Sequence, residues 1–324
     1  MIKKYILTIL ATAFCLISMA QDDLKLKLDS IATTGLEKGI PGIQVIISDS
    51  KGYTIYNYGH HEIEKTTEVN DSTRWRYGSI TKVFTAVMIL QLESEGKLSI
   101  DDSVTKYIDL KQHNAAGITI KHLLNHSSGL YNYTASKKLK WEDTPNQCLE
   151  NSLKRKLNFT PGSKYDYCNT GYVILGLIIE KITALSYQQN ITQRIFEPCG
   201  IESMIYCSDD KIPFNTARGY KIKYNKYTDF TEIDHSWANS AGAVLGNLTD
   251  LNKFVDCLFK GNLIDSSQLK KMISPTIIYR NLNADGMEWF YHGVGLCWDL
   301  NLDKTEKPIY VSHGGNTHGY NSDI

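Results

Sequence analysis

At 324 residues with 42% hydrophobic and 22% charged side chains, the chain carries enough apolar residue to bury a large core. That excludes a small stapled scaffold and a disordered tail. Lys plus Arg and Asp plus Glu both number 35, so the formal charge is zero. Duplex binding, which needs an excess of cations, is not expected, and the basic clusters Lys137–Lys140 and Lys154–Lys156 read as solvated helix faces.

Lys3 and Lys4 precede an uncharged run from Tyr5 to Met19, and Ser18-Met19-Ala20 offers small residues where a signal peptidase cleaves. Residues 1–20 therefore read as a secretory signal, which predicts a mature chain from near Gln21, periplasmic or secreted. The run is too short for a comfortable membrane span, and no other stretch is long and apolar enough. Helical spacing of Leu24, Leu28, Ile31 and Ala32 predicts a helix over Asp22–Lys38, stopped by Gly39 and Pro41. Ile43–Ser48 and Tyr53–Tyr58 flank Asp49-Ser50-Lys51-Gly52 and read as a β-hairpin. A helix follows over Ser79–Glu95, ended by Gly96. Val83, Phe84, Val87, Met88, Ile89, Leu90 and Leu92 make it apolar nearly all round, so it belongs in the centre of a domain.

From Leu98 to about Asn215 (a subdomain of about 97–215) the pattern is helical, with Thr170–Thr183 strongly apolar. Asp101-Asp102 reads as a cap for the next short helix. Arg218–Glu232, rich in Lys, Tyr and Asn, reads as an exposed insertion. Leu248–Lys260 is an amphipathic helix. Gly293–Leu300 and Ile309–His313 return to strands. Strands at both ends with helices between predict an α+β fold: an antiparallel sheet from both termini, flanked by helices, with a mostly helical subdomain inserted and residues 21–324 forming one domain. Beyond Cys15 there are six cysteines, Cys148, Cys168, Cys199, Cys207, Cys257 and Cys297, and an even count permits disulfides outside the cytoplasm. Cys199 and Cys207 are close enough to close a short loop, but spacing leaves the connectivity open.

Tyr77-Gly78-Ser79-Ile80-Thr81-Lys82 opens the buried helix. Ser79 lies at the helix start, where backbone N–H groups are unpaired, and Lys82 is one turn away on nearly the same face. A lysine at a buried helix must find a partner or lose its proton, and either state suits a hydroxyl nucleophile. Alone, the pattern also fits a Ser cap beside an exposed lysine. His122 and His126 stand at the spacing of two helix-borne zinc ligands, but with no H-E-x-x-H and no third ligand a structural role is the better reading. No metal and no organic cofactor is expected.

These motifs together resemble the serine β-lactamase and penicillin-binding-protein superfamily, most closely its class C branch with DD-carboxypeptidases and esterases. Ser79 and Lys82 match its S-x-x-K. Tyr167 and Asn169, in Tyr167-Cys168-Asn169 before the apolar helix, match Tyr-x-Asn. His313-Gly314-Gly315 matches the third motif, with His where many relatives have Lys. Family-like flanks appear at Gly96–Val104, Leu123–Leu130 and Ser240–Leu251. The resemblance implies a β-lactamase/transpeptidase-like fold and an acyl-enzyme on Ser79. Lys82 and Tyr167 would share the proton work, the phenol being usable only if Lys82 lowers its pKa. Asn169 would hydrogen-bond Lys82 and the substrate amide oxygen. The N–H groups of Ser79 and Asn316 would form the oxyanion hole, and Gly315 would leave room for substrate along the strand. His313 would be cationic only below about pH 6.5.

The substrate would be a small ester, a peptidoglycan-type D-peptide or a β-lactam. Gly314 stands where many relatives have a carboxylate-gripping Thr, so a weak grip on carboxylates is expected and efficient β-lactamase activity is not. Cys168 reads as a small buried filler. Relatives continue beyond the third motif with a strand and a helix, so the C-terminus reads as truncated, which would leave the third-motif strand as an exposed edge. The rival reading is a weakly catalytic or non-catalytic penicillin- or wall-binding homologue that keeps its acyl group. Oligomeric state is not legible.

Overall fold

A computed structural model describes residues 23–110, 115–140, 143–206, 212–224, 226–279 and 291–324. The leader reading and Cys207 lie outside these residues. The chain divides into two compact units, one ending at Asp71 and one spanning Ser72–Ile324.

The first unit holds helix α1, residues 23–37. It also holds the hairpin of β1 (Gly42–Asp49) and β2 (Gly52–Gly59), paired from Gly42↔Gly59 to Asp49↔Gly52. Both elements match the helical spacing and the strand–turn–strand pattern that predict them.

The second unit is organised round α2 (Thr81–Ser94), which follows β3 (Arg74–Arg76) and a 3₁₀ turn at Gly78–Ile80. Every residue of α2 from Thr81 to Leu90 is buried. Phe84 stacks on Phe254 with ring centroids 3.8 Å apart and meets Phe196 edge-on at 6.2 Å, the geometries aromatic quadrupoles favour. The middle of the chain is helical as expected: α3 (Ile120–Leu124), α4 (Pro145–Leu153), α5 (Asn169–Thr183) and α6 (Tyr187–Ile191). Side chains cap most of these starts. Thr144 and Ser186 make reciprocal boxes with Gln147 and Gln189, and His122 closes one with Thr119 on α3. Gly176 lets α5 approach Ser240, whose Oγ a Cβ there would meet at 2.3 Å.

Strand β4 (Ile205–Tyr206) and the exposed hairpin of β5 (Tyr220–Lys223) and β6 (Lys226–Asp229) come next. Strand β7 (Val244–Asn247) pairs with both β3 and β4. Helices α7 (Leu248–Phe259) and α8 (Ser266–Met272) lead to β8 (Ile277–Tyr279), β9 (Tyr291–Val294), β10 (Asp299–Leu302) and β11 (Pro308–Ser312). These four form an antiparallel sheet in the order β11-β10-β9-β8. The chain ends in a hairpin of β12 (Gly314–Thr317) and β13 (Tyr320–Asp323).

Four expectations are corrected. Gly293–Leu300 is not one strand: the chain turns at 295–298, Gly295 N–H bonding Trp298 O, with Cys297 at a φ of 93°. The third-motif strand β12 is not a bare edge, because β13 folds back on it. The short helix after Asp102 is capped by Ser103, and Asp102 instead accepts the Ser99 N–H. The disulfide joins Cys199 to Cys257 on α7, so the Cys199–Cys207 loop does not form. Among the described residues no single helix is long and apolar enough to cross a membrane.

Candidate active site

Ser79 is half-buried at the entrance to α2, and Lys82 lies one turn behind it, fully buried. The Lys82 Nζ donates to Ser79 Oγ at 2.9 Å and to the Ala241 carbonyl at 2.6 Å, and faces the rings of Tyr167 at 5.0 Å and Tyr172 at 5.5 Å. Among the described residues no carboxylate pairs with it. Burial therefore penalises the ammonium form and lowers the lysine pKa to about 7. A lysine so lowered has a neutral form, with a free lone pair, within reach near neutral pH, one of the two states that the sequence reading allows.

Ala241 is a partner that sequence reasoning missed. Its carbonyl is brought to Lys82 by the segment Ser236–Ala241, in which Asn239 takes a φ of 47° and a ψ of −145°. Such backbone is held only where its surroundings over-determine it. Here the Asn239 side chain is fixed by Tyr206 OH and Ser240 N–H.

Tyr167 lines the same cavity as Ser79, its ring 5.0 Å from the Lys82 Nζ. Its pKa is not lowered. Burial pushes it far above the ordinary phenol value, and the nearby Ser79 hydroxyl offsets this only in part. Lys82, itself desolvated and with a lowered pKa, does not supply the expected cation. Tyr167 is thus a proton donor in the resting site, and Lys82 is the group with the pKa of a base.

Asn169 lies at the start of α5 and lines the same cavity, but makes no described bond to Lys82. Its Nδ2 is held by Thr134 Oγ1 at 3.1 Å and Asn132 Oδ1 at 3.4 Å. Asn132 also caps the turn Tyr133–Ala135. An Asn two residues before a Thr is the only sequence signal for this pair.

The third motif departs further. His313 is buried and outside the cavity lining. Its Nδ1 stands 2.8 Å from the Gly314 carbonyl, so that nitrogen carries the proton. Burial, with Lys82 nearby, lowers its pKa to about 4, below the expected 6.5, and it is neutral at pH 7. Gly315 does not clear a path for substrate. A Cβ there would meet the Tyr77 carbonyl oxygen at 2.0 Å, so its bareness lets β12 press on the backbone before Ser79.

Asn316 lines the cavity. His313 and Ile324 exchange both backbone bonds, so the register alternates and leaves Asn316 N–H turned away from β13. Its backbone lies against Gly78: a Cβ on Gly78, whose φ is 52°, would stand 2.9 Å from Asn316 N, C and O. Ser79 and Asn316 thus share one edge of the cavity.

That cavity has a volume of about 630 Å³. Beyond the motif residues it is walled by Tyr133, Trp237 and His318, and by Tyr220, Lys221 and Ile222 of the exposed hairpin. Lys221 is the only Lys, Arg, Asp or Glu among the described lining residues. The predicted insertion therefore reaches the site, which sequence reasoning did not foresee. Cys168 is buried, its Sγ 3.3 Å from the Leu130 carbonyl and its pKa raised by burial, as befits a filler. Among the described residues no group of three or more His, Cys, Asp or Glu is placed to hold a metal.

The Beta-lactamase family profile matches residues 28–323. Protein flp of Staphylococcus aureus (strain NCTC 8325 / PS 47) is 28% identical over an alignment of 286 residues that covers 83% of this chain and 56% of that protein. The chain thus spans about half the length of this curated relative. Among solved structures, a D-stereospecific amidohydrolase from Streptomyces sp. superposes with a TM-score of 0.73 at 27% identity, covering 87% of this chain and 84% of that one. The octameric penicillin-binding protein homologue from Pyrococcus abyssi gives 0.78 at 25%, covering 93% and 70%.

Proposed function

The chain belongs to the beta-lactamase family, and within it we propose a serine hydrolase that cleaves small esters or amides through an acyl-enzyme on Ser79. The observation that carries this reading is the Lys82 Nζ hydrogen bond to Ser79 Oγ at 2.9 Å, with the Tyr167 ring 5.0 Å from the same Nζ and the lysine pKa lowered to about 7. Neutral Lys82 takes the Ser79 proton as Oγ attacks the acyl carbon. The developing oxyanion is met by the N–H groups of Ser79 and Asn316, each such donor contributing ~10²–10³ in rate. Tyr167 passes a proton to the departing alcohol or amine and is reprotonated from Lys82. Water then takes the place of the leaving group and releases the acid.

Substrate choice follows from what lines the cavity. With His313 neutral and set back, and Gly314 without a hydroxyl, the third motif offers no charge to a carboxylate. Aromatic walls and a neutral motif favour uncharged acyl donors, small esters and amides, over penicillins, and amide cleavage is what the amidohydrolase neighbour's name denotes. The leader reading extends the proposal to a secreted or periplasmic enzyme.

Intact-protein mass spectrometry during exposure to an activated ester tests the proposal, with Ser79→Ala in parallel. A transient mass gain that needs Ser79 is expected. A gain that persists would favour a penicillin-binding homologue that acylates without turning over, and no gain would refute the acyl-enzyme.

A further inference from the structure

The histidine that a zinc reading would have claimed does something else. His126 is 2% exposed and adopts a φ of 58°, a left-handed conformation uncommon outside glycine. Its carbonyl accepts the Asp166 N–H at 2.9 Å. Its ring Nδ1 accepts the Cys168 N–H at 3.1 Å. Between these two bonds the ring lies against Tyr167, centroids 4.3 Å apart at 31°. It touches Tyr172 at 5.1 Å on the inner side and Tyr165 edge-on at 6.0 Å.

In an extended segment, the N–H groups of alternate residues point the same way. One histidine therefore serves Asp166 and Cys168 as a neighbouring strand would, first with its carbonyl and then with its ring nitrogen. Accepting at Nδ1 places the ring proton on Nε2, which has no hydrogen-bond partner among the described residues. The left-handed φ lets one residue aim both acceptors at the same segment. That segment carries Tyr167, which lines the cavity beside Ser79, and Asn169, the first residue of α5.

We propose that His126 is a positioning residue which, through its Nδ1 acceptor and its ring face, holds the Tyr167 hydroxyl in register with Ser79 and Lys82. It acts through Tyr167 and touches no reacting atom. The proposal rests on the acyl-enzyme reading above for its kinetic consequence, but its geometric content stands apart from it.

The test compares two amides that differ in where they place an acceptor. In His126→Asn the side-chain oxygen sits at the same bond distance from Cβ as Nδ1. In His126→Gln it lies one bond farther out. His126→Leu removes the acceptor altogether. The probe is 4-nitrophenyl acetate, with single-turnover acylation rate and apparent affinity measured separately, beside thermal melting. Misplacement of about 1 Å costs ~10²-fold, so the Leu and Gln variants should lose about that in acylation rate. Their apparent affinity should stay within about threefold and their acid midpoint should not move. The Asn variant should recover about tenfold of the loss.

Equal rates in Asn and Gln, a loss confined to affinity, or rates that follow melting temperature would overturn the proposal. If the Leu variant does not fold, the Asn–Gln comparison carries the test alone. If the wild type itself is not acylated, the hydrolase reading fails, and positioning is read instead from ¹³C-tyrosine spectra, with the Tyr167 signal assigned by Tyr167→Phe. Both variants lose the imidazole beside Tyr167, so the signal should move in each but farther in Gln than in Asn, and the reverse would overturn it.

Discussion

Gly315 and Tyr77 meet backbone to backbone, so close that a Cβ on the glycine would stand 2.0 Å from the tyrosine carbonyl oxygen. The Ser322 hydroxyl bonds the same carbonyl at 2.8 Å. The terminal hairpin is thereby seated on the residue two before the nucleophile, and the seat sets the distance between the N–H groups of Ser79 and Asn316. Gly315→Ala should push β12 outward and break that pairing. Losing one oxyanion donor predicts a fall of ~10²–10³ in acylation rate, with a smaller loss of melting temperature. An alanine variant acylated at the wild-type rate would show that the contact is packing alone.

The elements that sequence patterning located well are those whose local signal and final burial agree. The apolar sweep from Val83 to Leu92 is the buried helix α2, and Thr170–Ile179, all but Leu177, lies buried within α5. Ser79, Lys82 and Tyr167 converge as their order implied. What was illegible is what other segments contribute. Nothing local marks Ala241 as the acceptor for Lys82, or the Tyr220–Ile222 strand as a cavity wall, because both meetings depend on tertiary closure. The electrostatic reversals have the same origin. The motif reading has Lys82 lowering the Tyr167 pKa and leaves His313 near 6.5, and burial, which no residue string displays, moves the phenol up and the imidazole down.

Assigning the base to Lys82 and a proton-donor role to Tyr167 fixes the pH dependence. Below the lysine pKa of about 7 the base is protonated, so acylation should fall as pH drops through about 7 and level off above it. Tyr167→Phe should lower the plateau by ~10²–10⁴-fold, the usual contribution of proton transfer, and leave the midpoint where it was. Rate–pH profiles of both proteins decide this. A midpoint that moves with Tyr167→Phe would transfer the base role to the phenol.

Lys221 is the only Lys, Arg, Asp or Glu among the described residues lining the cavity, and it comes from the exposed hairpin rather than from the third motif. Any discrimination between anionic and neutral acyl donors should therefore depend on it. Lys221→Glu should reduce kcat/KM for a carboxylate-bearing ester by about tenfold, the scale of an exposed pair of ~1 kcal/mol or more, and leave a neutral ester within about twofold. Gly314→Thr meets only the Ser322 carbonyl, at 4.0 Å from its Cβ, and should fold normally. Its gain should be larger on the carboxylate substrate. Parallel changes on both substrates would remove the hairpin and the motif from carboxylate recognition.

The Cys199–Cys257 bond ties the end of the helical region to α7 across 58 residues. Closing a loop of that length restricts the unfolded chain by about 4 kcal/mol in the loop-entropy account. Neither cysteine lines the cavity. Cys199→Ser with Cys257→Ser should therefore lower the melting temperature by several degrees while kcat/KM stays within about twofold. Calorimetry and steady-state kinetics on the same preparation test this, and a fall in kcat/KM without a fall in melting temperature would contradict it.

Acid should destabilise the fold through its buried imidazoles. His313 is 3% exposed with a pKa lowered to about 4, and His235 is 1% exposed with a pKa lowered to about 3. Burial is the leading cause for both, aided by Lys82 for His313 and Arg76 for His235. In the unfolded chain each would bind a proton near pH 6.5. Between 6.5 and those lowered values the unfolded state holds protons the folded state cannot, so stability rises with pH there. The contribution is present above pH 6.5 and lost as pH falls to about 4 and then about 3. Melting temperature should thus decline steadily from pH 7 to pH 4. His313→Asn, whose amide can still donate to the Gly314 carbonyl but cannot titrate, should flatten the upper part of that decline, and an unchanged slope would assign the acid sensitivity to other groups.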